Sequence, residues 1–303
     1  MNLPGDTVAI LGLGLIGGSL ARALRSSGFA RQFIGYGHRE PSLRRGVELG
    51  VIDDFSLDLD EVIERADILV ICAPTLVAAD LLQQILNRVG HDSDGPVITD
   101  AASVKGNLLQ AARQACGGNM PPRLVLGHPI AGSERSGVDA SDPELFRHHR
   151  VILTPVEGNE AAAVELVRDM WLSTGAEVVS MGVADHDAVL AATSHLPHVL
   201  AYALVDALAQ SENSDEIFRC AAGGFRDLTR IASSDPVMWR DIAIANRDAL
   251  LNAIDLFSEH LGQLRQAVAD EDAAGMQETF ARAKAARDAF SVVLAEQGRG
   301  TKT

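Results

Sequence analysis

The stretch TVAILGLGLIGGSLARAL, Thr7 to Leu24, decides the fold of this 303-residue chain. It opens with an apolar, β-rich run, passes through Gly12-x-Gly14-x-x-Gly17, and continues into residues rich in alanine and leucine. That order is strand, glycine turn, helix. The first glycine permits a tight turn, the second lets backbone approach a pyrophosphate, and the third allows helix to pack closely on strand, with the phosphates at the helix N-terminus. With a second β-rich run at Phe33–Tyr36, the context is that of a Rossmann-type dinucleotide-binding domain. Gly12, Gly14, Leu15, Ile16 and Gly17 are its expected cofactor contacts.

About 20 residues beyond the glycines, where an NAD site places an Asp or Glu on the ribose diol, the chain has Gly37-His38-Arg39-Glu40. Gly37 leaves room, and Arg39 with His38 brings positive charge that suits a 2′-phosphate, although Glu40 could turn back to the diol. NAD or NADP is therefore the expected cofactor, with NADP at least tolerated.

The βα alternation continues through Asp67–Cys72, the turn Ala73-Pro74-Thr75 and a helix from Leu76 to Val89, and Pro74 joins the expected cofactor contacts. Val97–Thr99 is another strand, and it ends in the polar run DAASVK, Asp100 to Lys105. Ser103 there could donate or accept near His128, whereas Lys105 reads as an exposed helix-start cation. Val151–Thr154 and Glu177–Ser180 flank a helix from Glu160 to Ser173 and complete the sheet. Beyond Met181 strand signals vanish and helical spacing takes over, so the expected domains are 1–181, α/β, and 182–303, all-helical.

Composition narrows the function. A formal charge of −15 repels phosphate backbones and anionic membranes, which argues against nucleic acid or membrane partners. Cys72, Cys116 and Cys220 form no disulfide or zinc pattern. The N-terminal run has no basic segment and is broken by glycines, so it reads as neither signal peptide nor membrane span, and a cytoplasmic location is expected.

Chemistry-bearing residues cluster in LVLGHPIAGSERSG, Leu124 to Gly137. Leu124–Leu126 reads as a short buried strand, with Gly127 and Pro129 forming a sharp exit that holds His128 at the strand's end. His128 is the candidate base, and the Ser133-Glu134-Arg135-Ser136 loop lies next to it. The helical part contributes Ser194-His195-Leu196-Pro197-His198, with Pro197 expected to kink its helix. His195 and His198 share one helix face, but no third ligand at metal spacing accompanies them, and no metal is expected. Ala221 to Arg230 reads as a glycine-pair interruption carrying Arg226, Asp227 and Arg230. Ser234-Asp235-Pro236 then caps a long helix with an apolar stripe, Leu250, Ile254, Phe257, Leu261, Leu264 and Val268, and a last helix carries Phe280, Phe290 and Val293. Such stripes fit a core or a second copy, and a homodimer through these helices is the expected assembly.

Taken together, GLGLIGGS, DAASVK, GHPIAGSERSG, SHLPH and GGFRDLTRIASSDPVMW, from Gly223 to Trp239, resemble the prephenate/arogenate dehydrogenase family of tyrosine biosynthesis. The resemblance covers most of the chain, about Val8 to Val293. It implies oxidative decarboxylation of a cyclohexadiene, with hydride passing to nicotinamide and carbon dioxide leaving. It also implies His128 as acceptor for the ring hydroxyl, with Ser103 and His198 as further catalytic contacts. Ser133, Glu134, His195, Asp227 and Arg230 would form the substrate site, Arg230 binding the side-chain carboxylate with Asp227 orienting it. Neither the chorismate mutase nor the regulatory domain of some members is expected here, so any tyrosine inhibition would act at the active site. A β-hydroxyacid or imine dehydrogenase, or a non-catalytic NADP sensor, would share the glycine turn. A hydroxyacid enzyme would want a catalytic lysine on a glycine-rich helix after Met181, and none is present.

Overall fold

A computed structural model describes residues 6–90, 95–132 and 135–299, the segment 292–299 as backbone alone. The chain begins with β1 (Thr7–Leu11), α1 (Leu15–Ser27) and β2 (Gln32–Tyr36), as the opening stretch predicts. After β2 it inserts elements too short to leave a clear periodicity: α2 (Glu40–Glu48), β3 (Asp54–Ser56) and α3 (Leu59–Arg65). Then come β4 (Ile68–Ile71), α4 (Thr75–Val89), β5 (Val97–Asp100), α5 (Gly106–Ala115) and β6 (Leu124–Val125). These six strands form one parallel sheet in the order β3-β2-β1-β4-β5-β6, the doubly wound arrangement whose switch point lies between β1 and β4. β1 and β4 are buried on both faces, which explains their unbroken runs of apolar residues.

One expectation fails here. The later strands do not extend this sheet. β7 (Gly127–Pro129), β8 (Arg150–Leu153) and β9 (Glu177–Ser180) form a separate three-stranded sheet, with α6 (Ala161–Ser173) between the last two. The chain crosses from one sheet to the other at Leu126, and β7 runs antiparallel to β8 with His128 opposite Ile152. His128 therefore sits within a strand, and no sharp exit at Gly127 and Pro129 holds it. The glycine matters for a different reason: a Cβ on Gly127 would lie 3.1 Å from Leu153 and 3.3 Å from the Asp100 carbonyl, so the sheets meet closely only at a residue without a side chain.

From Val183 onward the described chain is helical: α7 (Val183–Leu190), α8 (Leu196–Ala209), α9 (Ser214–Cys220), α10 (Gly223–Thr229), α11 (Pro236–Ala245), α12 (Arg247–Ala269) and α13 (Ala273–Arg299). The irregularity expected at Pro197 takes the form of a π-helical turn at Ala191–His195, just before the proline, inside a helical run that continues from Val183 to Ala209. Two local readings change. Gly223 and Gly224 begin α10 rather than interrupting the helices. Asp235 caps α11 through the Met238 amide at 2.8 Å, but the helix stops at Asn246 before α12 starts.

By internal contacts the chain forms two compact units divided between Ala249 and Leu250. The change from sheet to helix falls near residue 182, yet α7 to α11 belong to the first unit because α7 packs on α5 and α11 packs on α4.

Candidate active site

The glycine turn has the geometry that its three roles demand. Gly12 has φ +108°, and a Cβ on it would meet the Cys72 carbonyl at 2.6 Å. A Cβ on Gly17 would lie 2.3 Å from the Gly12 carbonyl and 2.7 Å from Ile10, so helix and strand touch there. Gly14 has open space where its Cβ would be, the cradle a pyrophosphate needs. Leu15 and Ile16, half-buried, begin α1 beside that space, and Pro74 is exposed before α4. Gly37 is likewise open, and His38 and Arg39 are exposed. Glu40 accepts the Arg44 guanidinium at 2.9 Å within α2, which engages the one carboxylate that could have turned back toward a ribose diol.

At the carboxyl end of β5 the polar side chains are buried. Lys105, read from sequence as exposed, is fully buried: its ammonium pairs with the Asp100 carboxylate and donates to the Gly127 carbonyl at 2.6 Å. Asp100 also accepts the Gly127 amide at 3.1 Å and the Ala102 amide at 2.9 Å. This ion pair pins β5 to β7 beside His128. A buried lysine is tolerable only when paired, and Asp100, five residues back at a strand end, was the available signal. Burial pulls the Lys105 ammonium below the ordinary lysine value, with Asp100 opposing. Ser103 is half-buried on the loop between these partners.

His128 is buried, and its Nδ1 lies 2.9 Å from Nε2 of His186. His186 in turn places Nδ1 2.8 Å from Asp187 Oδ1. The Asp187 carboxylate also accepts the amides of Lys105 at 2.9 Å and Gly106 at 2.7 Å, where α5 begins. Burial pushes the Asp187 carboxyl up, but His186 and those two amides reverse the effect and leave it below its usual range. Burial holds His128 well below the usual histidine value, and the charges of Lys105, His186 and His195 act in the same direction. The imidazole is thus neutral at pH 7 and able to accept a proton.

His195 and His198 flank Trp239 of α11. His198 stacks on the indole at 3.5 Å and 19°, while His195 meets it edge-on at 6.1 Å. Asn246, the residue that ends α11, donates to the Asp187 carbonyl at 2.8 Å and lies 3.1 Å from His195 Nδ1. Burial lowers His195 to about 4. His198 donates Nδ1–H to the Ser194 carbonyl at 2.9 Å; burial lowers it too, aided by the charge of Arg230 nearby. Arg230 itself is exposed. Asp227 does not orient it in this arrangement, since it faces Arg226 at 3.4 Å. Ser133 and Glu134 lie outside the described residues. Sequence reasoning missed His186, Asp187, Asn246 and Trp239; an acidic–histidine pair inside an otherwise apolar helix was the signal for the first two.

This arrangement has close relatives. Residues 20–180 match the family model for the prephenate dehydrogenase nucleotide-binding domain, and residues 183–282 match that for its dimerization domain. The chain is 37% identical to a prephenate dehydrogenase of Bacillus subtilis, over 95% of this chain and 77% of that protein. It is 36% identical to a cyclohexadienyl dehydrogenase of Zymomonas mobilis, over 92% of this chain and 94% of that one. Among solved structures, prephenate dehydrogenase from Aquifex aeolicus in complex with hydroxyphenyl propionate and NAD+ superposes with a TM-score of 0.86 and 35% identity, covering 94% of this chain and 98% of the other. Its Rossmann sheet, its helical continuation and its matches along nearly the whole sequence agree: the chain belongs to the prephenate dehydrogenase family.

Proposed function

We propose that this chain catalyses NAD(P)-dependent oxidative decarboxylation of prephenate, arogenate or both, yielding 4-hydroxyphenylpyruvate or tyrosine. Membership of the family makes it an oxidoreductase of tyrosine biosynthesis. The observation that carries the residue assignment is a neutral, buried imidazole at His128, held where the nucleotide-binding sheet meets the helical part.

The open cradle at Gly14, between Gly12 and Gly17, fits a pyrophosphate, and a bound nicotinamide supplies the hydride acceptor. His128 takes the proton of the ring hydroxyl as hydride leaves the same carbon. Loss of carbon dioxide then puts an electron pair on that oxygen, to which His128 can return the proton. Ser103 offers a second hydrogen bond to this oxygen, and His198 and His195 bound the ring with Trp239. Arg230 suits the side-chain carboxylate, whose charge it matches through paired N–H donors. Ser133 and Glu134 complete the substrate site in this reading, with Asp227 at its rim.

The functional division lies at 181/182, between nucleotide binding and a helical part that both shapes the substrate site and pairs with a second copy. The exposed apolar stripe of α12 and α13 supports a homodimer. A cytoplasmic setting suits an enzyme with three free cysteines.

The deciding experiment assays prephenate and arogenate, each with NAD and with NADP. At least one substrate should be turned over with release of carbon dioxide, and NADP should serve at least comparably with NAD because Gly37 puts no carboxylate against a 2′-phosphate. No turnover of either substrate would overturn the reading. A specificity constant favouring NAD by more than about a hundredfold, ~2.7 kcal/mol, would overturn the cofactor assignment alone.

A further inference from the structure

We infer that His186 and Asp187 are positioning residues for His128: the buried chain Asp187–His186–His128 fixes the ring and tautomer of His128, leaving Nε2 as its proton acceptor. The inference rests on the proposed role of His128 and extends it to two residues outside that role.

The argument follows the protons. An ionised carboxylate can only accept, and Asp187 already accepts two backbone amides, so the 2.8 Å contact requires the proton on His186 Nδ1. With a single ring proton, spent on Asp187, His186 presents a lone pair at Nε2. Across the 2.9 Å contact His128 must therefore donate from Nδ1, and its own lone pair is confined to Nε2. An isolated imidazole samples both tautomers; this one does not. The interposed ring keeps the carboxylate one residue removed from the base, so His128 is oriented without an anion in contact with it. All three side chains are buried, and the His128 and His186 rings meet edge to face at 5.2 Å, so the geometry is fixed by packing as well as by hydrogen bonds.

Asp187 is also tied into the fold. It caps the start of α5, and Asn246 holds its carbonyl. Substituting it would disturb structure and chemistry together, so His186 is the residue to change.

In His186→Leu, which removes the acceptor, turnover should fall about 10- to 100-fold with the Michaelis constant within about twofold, the size of effect usual for groups that orient a reacting ligand. His186→Gln, whose amide can accept from His128 and donate to Asp187, should recover most of that loss. Nitrogen-15 spectra of histidine-labelled enzyme, with the His128 signals assigned by their loss in His128→Asn, should show Nδ1 protonated and Nε2 not. A His128 proton on Nε2 in the unmutated enzyme overturns the inference, as does unchanged turnover in folded His186→Leu. The spectrum needs no substrate. The expected tautomer in a protein that turns over neither substrate would sustain the positioning chain and defeat the proposed reaction instead.

Discussion

Val8, Ile10, Leu11, Ile34 and Val70 of the parallel sheet are wholly buried, whereas Leu256, Leu261, Val268, Phe280 and Phe290 of the last two helices are each more than half exposed. Among the described residues, the two hydrophobic core clusters draw every buried member from residues up to Ala176. α8 is apolar on nearly all sides, yet Ala201 is its one fully buried residue. A helix apolar all round needs cover, and exposed apolar surface on this scale marks an interface. The polar groups do not divide in that way: Asp100, Lys105 and His128 are buried and bonded, and so are His186, Asp187, His195 and Asn246 of the helical part, while Arg230 and Asp227 are exposed. The sheet half buries its own apolar residues, whereas the last two helices leave theirs exposed, the surface that the proposed dimer would cover. Changes on the two sides should consequently fail in different ways, the first in chemistry and the second in association.

The sharpest test of the sheet half is His128→Asn, which keeps a hydrogen-bonding group of similar reach but cannot take up a proton near neutrality. Loss of a positioned base costs about 10²- to 10⁴-fold, so turnover should drop by that order while the Michaelis constant changes little. Activity requires the neutral ring. Because burial lowers the His128 pKa, the wild-type rate should hold as pH falls through the usual histidine value of ~6.5 and decline only below it. A pH–rate profile with its acid limb at or above ~6.5, or a folded mutant with near-normal turnover, would mean that the base is elsewhere, and His198 would be next to test.

This division also explains what was legible in the sequence. The glycine turn, the strands beside it and the change to helix near residue 182 could be read because local pattern and tertiary role coincide there. His128 could be found from its setting, but its strand could not, since Gly127–Pro129 pairs with β8, more than 20 residues away, and a three-residue strand leaves no periodicity. Lys105 was misread for the same reason: its burial depends on Asp100 and the Gly127 carbonyl meeting in space, whereas its residue type alone points to solvent. The apolar stripe was legible because helical spacing is a local pattern.

The stripe provides the second test. Leu261→Asp puts a charge where, in a dimer, an exposed leucine would be buried. Losing that burial, about 1.5–3 kcal/mol, should weaken association on the order of 10²-fold. Sedimentation across a dilution series should show the mass halving at higher concentration than in the unmutated protein, with the near-ultraviolet spectrum of Trp171, buried in the sheet half, unchanged. Equal dissociation in both proteins would remove these helices from the interface and leave their exposure unexplained.

The smallest effect is expected at Arg230, the proposed carboxylate receptor. Arg230 is solvent-facing, and its charge reaches His198, so it stands where a carboxylate could be met before the buried chemistry begins. A carboxylate held alike in ground and transition states contributes uniform binding, and removing its partner raises the Michaelis constant without changing turnover. Hydrogen bonds to charged groups contribute about 1.5–3 kcal/mol, and solvent exposure favours the lower end, so Arg230→Gln should raise the Michaelis constant roughly tenfold. The same substitution removes a cation that depresses His198, whose pKa should therefore rise, and titration of the His198 ring by NMR would record it. A mutant with an unchanged Michaelis constant but a raised His198 pKa would place Arg230 beside the histidine and away from the substrate, and the carboxylate would then need another receptor among the exposed cations of the helical half.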